Sequence, residues 1–202
     1  MTIYVATQNA HKLEEFSSLL AGIPLQGLKG LSGFDMPPET GTTFLENSII
    51  KARAVYEHTG CIALADDSGL MVDALNGAPG VYSARYVDGS DTDRYLALLE
   101  AMANQTQRAA KFVACLTVVG LPTSLTLPAD VFRIDDVVYV HGEVHGRIAH
   151  DHRGDNGFGY DPIFELPDGR TMAEVSSAEK QSRSHRAIAA RQLYPILRDY
   201  FS

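Results

Sequence analysis

The stretch Cys61-Ile62-Ala63-Leu64-Ala65-Asp66-Asp67-Ser68-Gly69-Leu70 constrains the fold more than any other. Cys61 to Ala65 is an apolar run too short and too featureless for an amphipathic helix, and it reads as a strand buried on both faces. The run ends in two adjacent carboxylates, a hydroxyl and a glycine. A core strand that delivers paired acids to its C-terminal end is where open α/β sheets place ligand chemistry. Successive side chains on a strand point to opposite faces. Asp66 and Asp67 are therefore expected to have different tasks, one holding a turn and the other entering a cleft. Asp, Ser and Gly also favour plain turns, so this stretch alone leaves both readings open.

With 202 residues the chain is expected to form a single domain, 1–202, with room for two lobes sharing a sheet. No apolar run approaches the about 18 residues of a membrane span, so no membrane partner is expected. Met1 to Val5 reads as the start of a strand with no signal peptide ahead of it. Cys61 and Cys115 lie in apolar, strand-like runs without CxxC spacing and read as buried, reduced core residues, which suits a cytoplasmic protein. The formal charge of −8 argues against a broad nucleic-acid surface. A small anionic substrate stays compatible with it, because a few local cations can reverse the field in a cleft.

Along the chain, Ile3 to Ala6 reads as a strand. Thr7-Gln8-Asn9 turns into a helix with Leu13, Phe16, Leu19 and Leu20 on one stripe, Asn9 as N-cap and Lys12 in the first turn. A strand, a tight polar turn and a helix N-terminus make a ready phosphate site, although this one lacks the glycines of a P-loop. Gly27 to Pro38 reads as loop. Thr43 and Glu46 have capping-box spacing for a helix reaching about His58. Glu39 precedes that cap in a loop, and Lys51 shares a helix face with Asn47.

Asn76 to Gly80 reads as a turn, and Ser90 and Asp91 offer caps for a helix with Tyr95, Leu96, Leu98, Leu99 and Met102 inside. Phe112 to Val119 reads as a strand, and Val131 to His150 as two more joined near Val140 to Glu143. Leu121 to Tyr139 is expected to be a surface hairpin. His141, His145, His150 and His152 lack the spacing of a helical metal motif, and an exposed strand edge explains them more simply. Gly154 to Pro162 is dense in glycine yet holds Phe158 and Tyr160; the glycines allow close backbone approach and an aromatic face can stack on a base. Ser184 reads as the cap of the last helix, placing His185 and Arg186 at its start, and Pro195 should kink or split that helix. The count is at least five strands and three helices, an α/β domain with some antiparallel pairing.

In order, these blocks closely resemble one family, the inosine triphosphate pyrophosphatases of the Ham1/RdgB type. The resemblance runs through Thr7 to Lys12, Glu39 to Asn47, Ala65 to Leu70, Gly77 to Tyr86, Gly157 to Phe164, and Lys180 with Ser184-His185-Arg186, nearly the whole chain. Two departures stand out: Ala187 where the motif usually continues with glycine, and the long stretch from Leu121 to Tyr139.

The resemblance implies an elongated mixed β-sheet flanked by helices, in two lobes with a nucleotide cleft between them, and a homodimer. It implies hydrolysis of ITP, dITP and XTP to the monophosphate and pyrophosphate. Thr7, Gln8, Asn9, Ala10, His11 and Lys12 would hold the triphosphate, with Lys51 as a further phosphate contact. Glu39 and Asp67 would bind Mg²⁺, and Asp67 would also activate water. Ser68 would contact the nucleotide. Phe158, Gly159, Tyr160 and Asp161 would shape the base and sugar pocket, with Phe158 stacking on the purine. Lys180, His185 and Arg186 would select the 6-oxo base, since donors facing a 6-amino group are left unpaired. Two other readings compete: a nucleotide-binding module without turnover, and a Maf-type pyrophosphatase. The retained acids argue against the first and Ser184-His185-Arg186 against the second.

Overall fold

In this computed structural model residues 2–201 are described, so Met1 of the expected first strand lies outside them. The chain alternates β1 (Ile3–Val5), α1 (Ala10–Leu19), β2 (Leu25–Gln26), α2 (Phe44–Thr59), β3 (Ala63–Val72), α3 (Asp91–Ala101), β4 (Ala109–Val119), β5 (Phe132–Ile134), β6 (Val137–Ile148), β7 (Phe164–Glu165), α4 (Ser177–Arg183) and α5 (His185–Phe201). The strands form one mixed sheet in the order β2-β1-β3-β4-β6-β5, with β7 also paired to β6. β1 is parallel to β2 and β3, whereas β6 is antiparallel to β5 and β7. The fold is therefore mixed α/β.

Two compact units divide the chain. The first comprises Met1–Asp67, Ala114–Gly142 and Arg186–Ser202, and the second Ser68–Val113 and Glu143–His185. In the first unit the sheet is covered on both faces. Ile62 and Leu64 belong to a core shared with Phe16 of α1 and Ala189, Leu193 and Leu197 of α5. Ala63 and Ala65 belong to a second core with Ala52 and Val55 of α2. The two-residue period of a strand thus sends even positions of β3 towards α1 and α5 and odd positions towards α2. The second unit has its own core, built on Leu70, Val72, Leu98, Phe112, Ile163 and Phe164.

Local signals place most helices. Asn9 accepts from the backbone N–H groups of His11 and Lys12, and Thr43 with Glu46 closes the expected capping box. Thr43→Ala is expected to cost about 1 kcal/mol, a fall of roughly 2–4 °C in thermal denaturation. An unchanged melting temperature would show that tertiary packing alone holds the start of α2.

Other expectations are corrected. β3 does not stop at a turn; it continues through Asp66, Asp67, Ser68 and Gly69 to Val72. Cys61 precedes β3 and is half-buried, while Cys115 is buried in β4 and its thiol is pushed up by that burial. Leu96 is 46% exposed. Tyr95, Leu98, Leu99 and Met102 keep the i, i+3, i+4, i+7 spacing of a helix face, and Leu96 falls off it. The break near Val140 to Glu143 does not exist, for β6 is continuous there. The hairpin turns instead at Asp135-Asp136, with Asp135 at φ +52°, a left-handed conformation that Asp tolerates. Leu121 and Val131 are core residues, so the stretch from Leu121 to Tyr139 is not wholly a surface hairpin. α5 runs unsplit through Pro195.

Candidate active site

Strand parity decides what each adjacent acid of β3 meets. Asp66, on the face of α1 and α5, accepts at Oδ2 from Lys12 Nζ at 2.7 Å and from Arg186 Nε and Nη2 at 3.2 Å each. Arg186, from the start of α5, is 1% exposed and also binds Glu15 of α1. Burial alone would push the Asp66 carboxyl up, but Arg186 and then Lys12 overcome it and hold the group far below the usual carboxylate range. Asp66 is thus neither a turn-holder nor a free ligand. It is the shared counter-ion of the buried Arg186 and the half-buried Lys12.

Asp67, on the face of α2, meets Lys51. That ammonium donates to Glu39 Oε1 at 2.7 Å, to the Asp66 carbonyl at 2.8 Å and to Asp67 Oδ1 at 3.1 Å. Burial raises the Asp67 carboxyl above its ordinary value; Lys51 opposes the rise and Glu39 reinforces it. The Lys51 ammonium is pulled down by burial but raised on balance by Asp67 and Glu39. Asp67 Oδ2 is buried without a hydrogen-bond partner among the described residues. Glu39 is placed by its loop, because the buried Asn47 side chain accepts from Gly41 N–H at 2.8 Å. A Cβ on Gly41 would fall 2.6 Å from Glu46 Cβ and 2.7 Å from Asn47 Oδ1, so only glycine lets the loop lie this close to α2.

The turn from Thr7 to Lys12 caps α1, with Asn9, Ala10 and His11 exposed. Burial lowers the Lys12 ammonium against the attraction of Asp66. The first unit therefore gathers Lys12, Lys51 and Arg186 with Glu15, Glu39, Asp66 and Asp67, leaving one negative charge in excess.

In the second unit Phe158 N–H donates to Asp161 Oδ2 at 2.9 Å, and Lys180 Nζ lies 2.6 Å from the same oxygen. Lys180 Nζ sits 4.5 Å from the Phe158 ring centroid, a cation–π contact. Gly157 has φ +82°, and a Cβ there would fall 2.1 Å from Asp161 Oδ2. Tyr160 is buried, and its hydroxyl donates to the Ser83 carbonyl at 2.9 Å. The His185 ring stacks on Phe112 at 4.9 Å. Ser68 is half-buried in β3.

Of the expected base-selecting set, Lys180 and His185 thus belong to the second unit, whereas Arg186 belongs to the first and is engaged by two acids. Lys51, expected to meet phosphate, reaches three protein acceptors in this structure. Glu15 was not anticipated. The available signal was its position three residues after Lys12, on the same helix face.

No group of three or more His, Cys, Asp or Glu side chains disposed to hold a metal ion occurs among the described residues. No helix among them is long and apolar enough to cross a membrane.

The family model described as the Ham1 family matches residues 3–196. A dITP/XTP pyrophosphatase from Symbiobacterium thermophilum is 49% identical over 191 residues, spanning 93% of this chain and 90% of that protein. A HAM1 protein of known structure from Coxiella burnetii superimposes with a TM-score of 0.84 at 39% identity, covering 98% of this chain and 99% of that one. The Staphylococcus aureus Ham1 protein gives 0.83 at 37% identity, covering 99% and 100%.

Proposed function

This chain belongs to the Ham1 family, and from that premise we propose that it hydrolyses ITP, dITP and XTP to the nucleoside monophosphate and pyrophosphate. The observation that carries this reading is the asymmetry of the adjacent acids. Asp66 is neutralised by two cations, while Asp67 keeps a buried oxygen without a hydrogen-bond partner and a carboxyl held above its ordinary value. Such a carboxylate, once ionised, is a competent base. Asp67 Oδ2 takes a proton from water as the water oxygen bonds to phosphorus. The phosphoanhydride bond between the α- and β-phosphates then breaks and pyrophosphate leaves.

Glu39 and Asp67 would hold Mg²⁺. The residues fit it: both donors are carboxylates, and the Lys51 ammonium between Glu39 Oε1 and Asp67 Oδ1 marks a position that already favours a cation. Two protein carboxylates suit an ion that keeps most of its waters. When bound, the ion would neutralise charge on the phosphates. Lys12 and the turn from Thr7 to His11 bind the triphosphate. Lys51 aligns Glu39 and Asp67, and Arg186 fixes Asp66. Phe158 stacks on the purine, with Lys180 supplying a cationic donor beside it; Ser68, Tyr160 and His185 complete the nucleotide contacts. A cytoplasmic homodimer belongs to the same reading, and light scattering at twice the 22.0 kDa chain mass tests the assembly.

The deciding assay is pyrophosphate release from ITP, dITP and XTP against GTP, ATP and dTTP with Mg²⁺. Turnover of the first three is expected, with loss on chelation of Mg²⁺ by EDTA and recovery on its return. Equal rates on ATP would overturn the selection of the 6-oxo purine, and no release from any triphosphate would overturn the activity.

A further inference from the structure

We propose that Asp91 is a positioning residue that fixes the Gly157-Phe158-Gly159 loop, and through it the Phe158 ring, for purine binding; this rests on the function proposed above. Asp91 is the first residue of α3, yet it is not the cap. Ser90 and Asp93 close the capping box by themselves, Ser90 Oγ accepting from Asp93 N–H at 3.2 Å and Asp93 Oδ2 accepting from Ser90 N–H at 2.7 Å. The Asp91 carboxylate is therefore available for a longer reach. Its Oδ2 accepts from Gly159 N–H at 2.7 Å, 68 residues away. Its Oδ1 accepts from Arg94 Nη1 at 2.8 Å, and Arg94 Nη2 donates to the Gly89 carbonyl at 2.8 Å, so the carboxylate is braced from the helix side.

The loop needs such a tether. Gly157 and Gly159 flank Phe158 at φ +82° and +64°, and glycine on both sides of an aromatic residue lets it swing between many orientations. Two hydrogen bonds oppose that freedom. Phe158 N–H is held by Asp161, which is buried and paired with Lys180 of α4. Gly159 N–H is held by Asp91, which belongs to a regular helix. Asp91 thus adds a second tie, holding the C-terminal side of Phe158 to α3 while Asp161 and Lys180 hold the other side. Without it the stacking-competent orientation becomes one of several, and apparent affinity falls by the fraction that remains competent.

The test compares wild type with Asp91→Ala and Asp91→Asn in two measurements. The first is steady-state release of pyrophosphate from ITP. Asp91→Ala is expected to raise KM about tenfold with kcat within about twofold, and Asp91→Asn, which keeps an acceptor oxygen, to recover most of the loss. The second is hydrogen–deuterium exchange in the peptide spanning Gly157 to Asp161, where Asp91→Ala is expected to speed exchange and Asp91→Asn to restore protection. Unchanged KM in Asp91→Ala, a fall in kcat and melting temperature without a change in KM, or unaltered exchange would each overturn the proposal. If wild type releases no pyrophosphate from ITP, the proposed function fails instead, and the exchange measurement still decides whether Asp91 holds the loop.

Discussion

Asp67→Asn is expected to lower kcat for pyrophosphate release from ITP by about 10²–10⁴-fold, the usual contribution of a positioned base, without lowering the melting temperature. The two halves of this expectation have one cause. The Asp67 carboxyl is held above its ordinary value by burial, with Lys51 opposing the rise and Glu39 adding to it. A carboxyl whose folded pKa exceeds its unfolded value costs stability when ionised. That cost is absent below the unfolded value near 3.9 and fully present above the folded one. Asparagine removes it at neutral pH and keeps an oxygen to accept from Lys51. Function and stability therefore pull in opposite directions here, as they do where strain serves activity. The wild-type rate should fall as pH drops through the raised value, while the residual rate of the variant should be flat across the same range. Full activity in Asp67→Asn would remove Asp67 from its role, and joint loss of activity and fold would make it structural.

The second large effect lies on the other face of the strand. Arg186→Leu is expected to cost about 3–5 kcal/mol, because it leaves Asp66 and Glu15 facing Lys12 alone in a buried cluster. For a chain of this length that is a fall of roughly 6–20 °C in melting temperature. Asp66→Asn should cost a similar amount by leaving Arg186 and Lys12 short of a counter-charge. Asp66 has a depressed folded pKa, so its stabilisation is present above about pH 4 and is lost as pH falls further towards the folded value. Denaturant titrations of wild type and Asp66→Asn should differ at neutral pH and converge in strong acid. A double-mutant cycle between positions 66 and 186 should give a coupling of more than about 1 kcal/mol. Additive losses would mean that the two side chains do not depend on each other.

The sequence by itself determined the elements whose signals are local. Asn9, Thr43 with Glu46, and Ser90 mark helix starts because a side-chain oxygen satisfies backbone N–H groups two or three residues away. The two-residue period of a strand already separated Asp66 from Asp67, and the order of the blocks carried the family. Only the tertiary structure decided what the acids do. Asp-Ser-Gly is a turn signal by local preference, yet β3 passes straight through it, because Lys12, Lys51 and Arg186 neutralise two carboxylates that a buried strand could not otherwise hold. Arg186 lies 120 residues from Asp66, and no spacing rule reaches that far. For the same reason Glu15 and Asp91 were not legible as site residues. Each looks like an ordinary helix acid until the fold brings Arg186 or Gly159 to it.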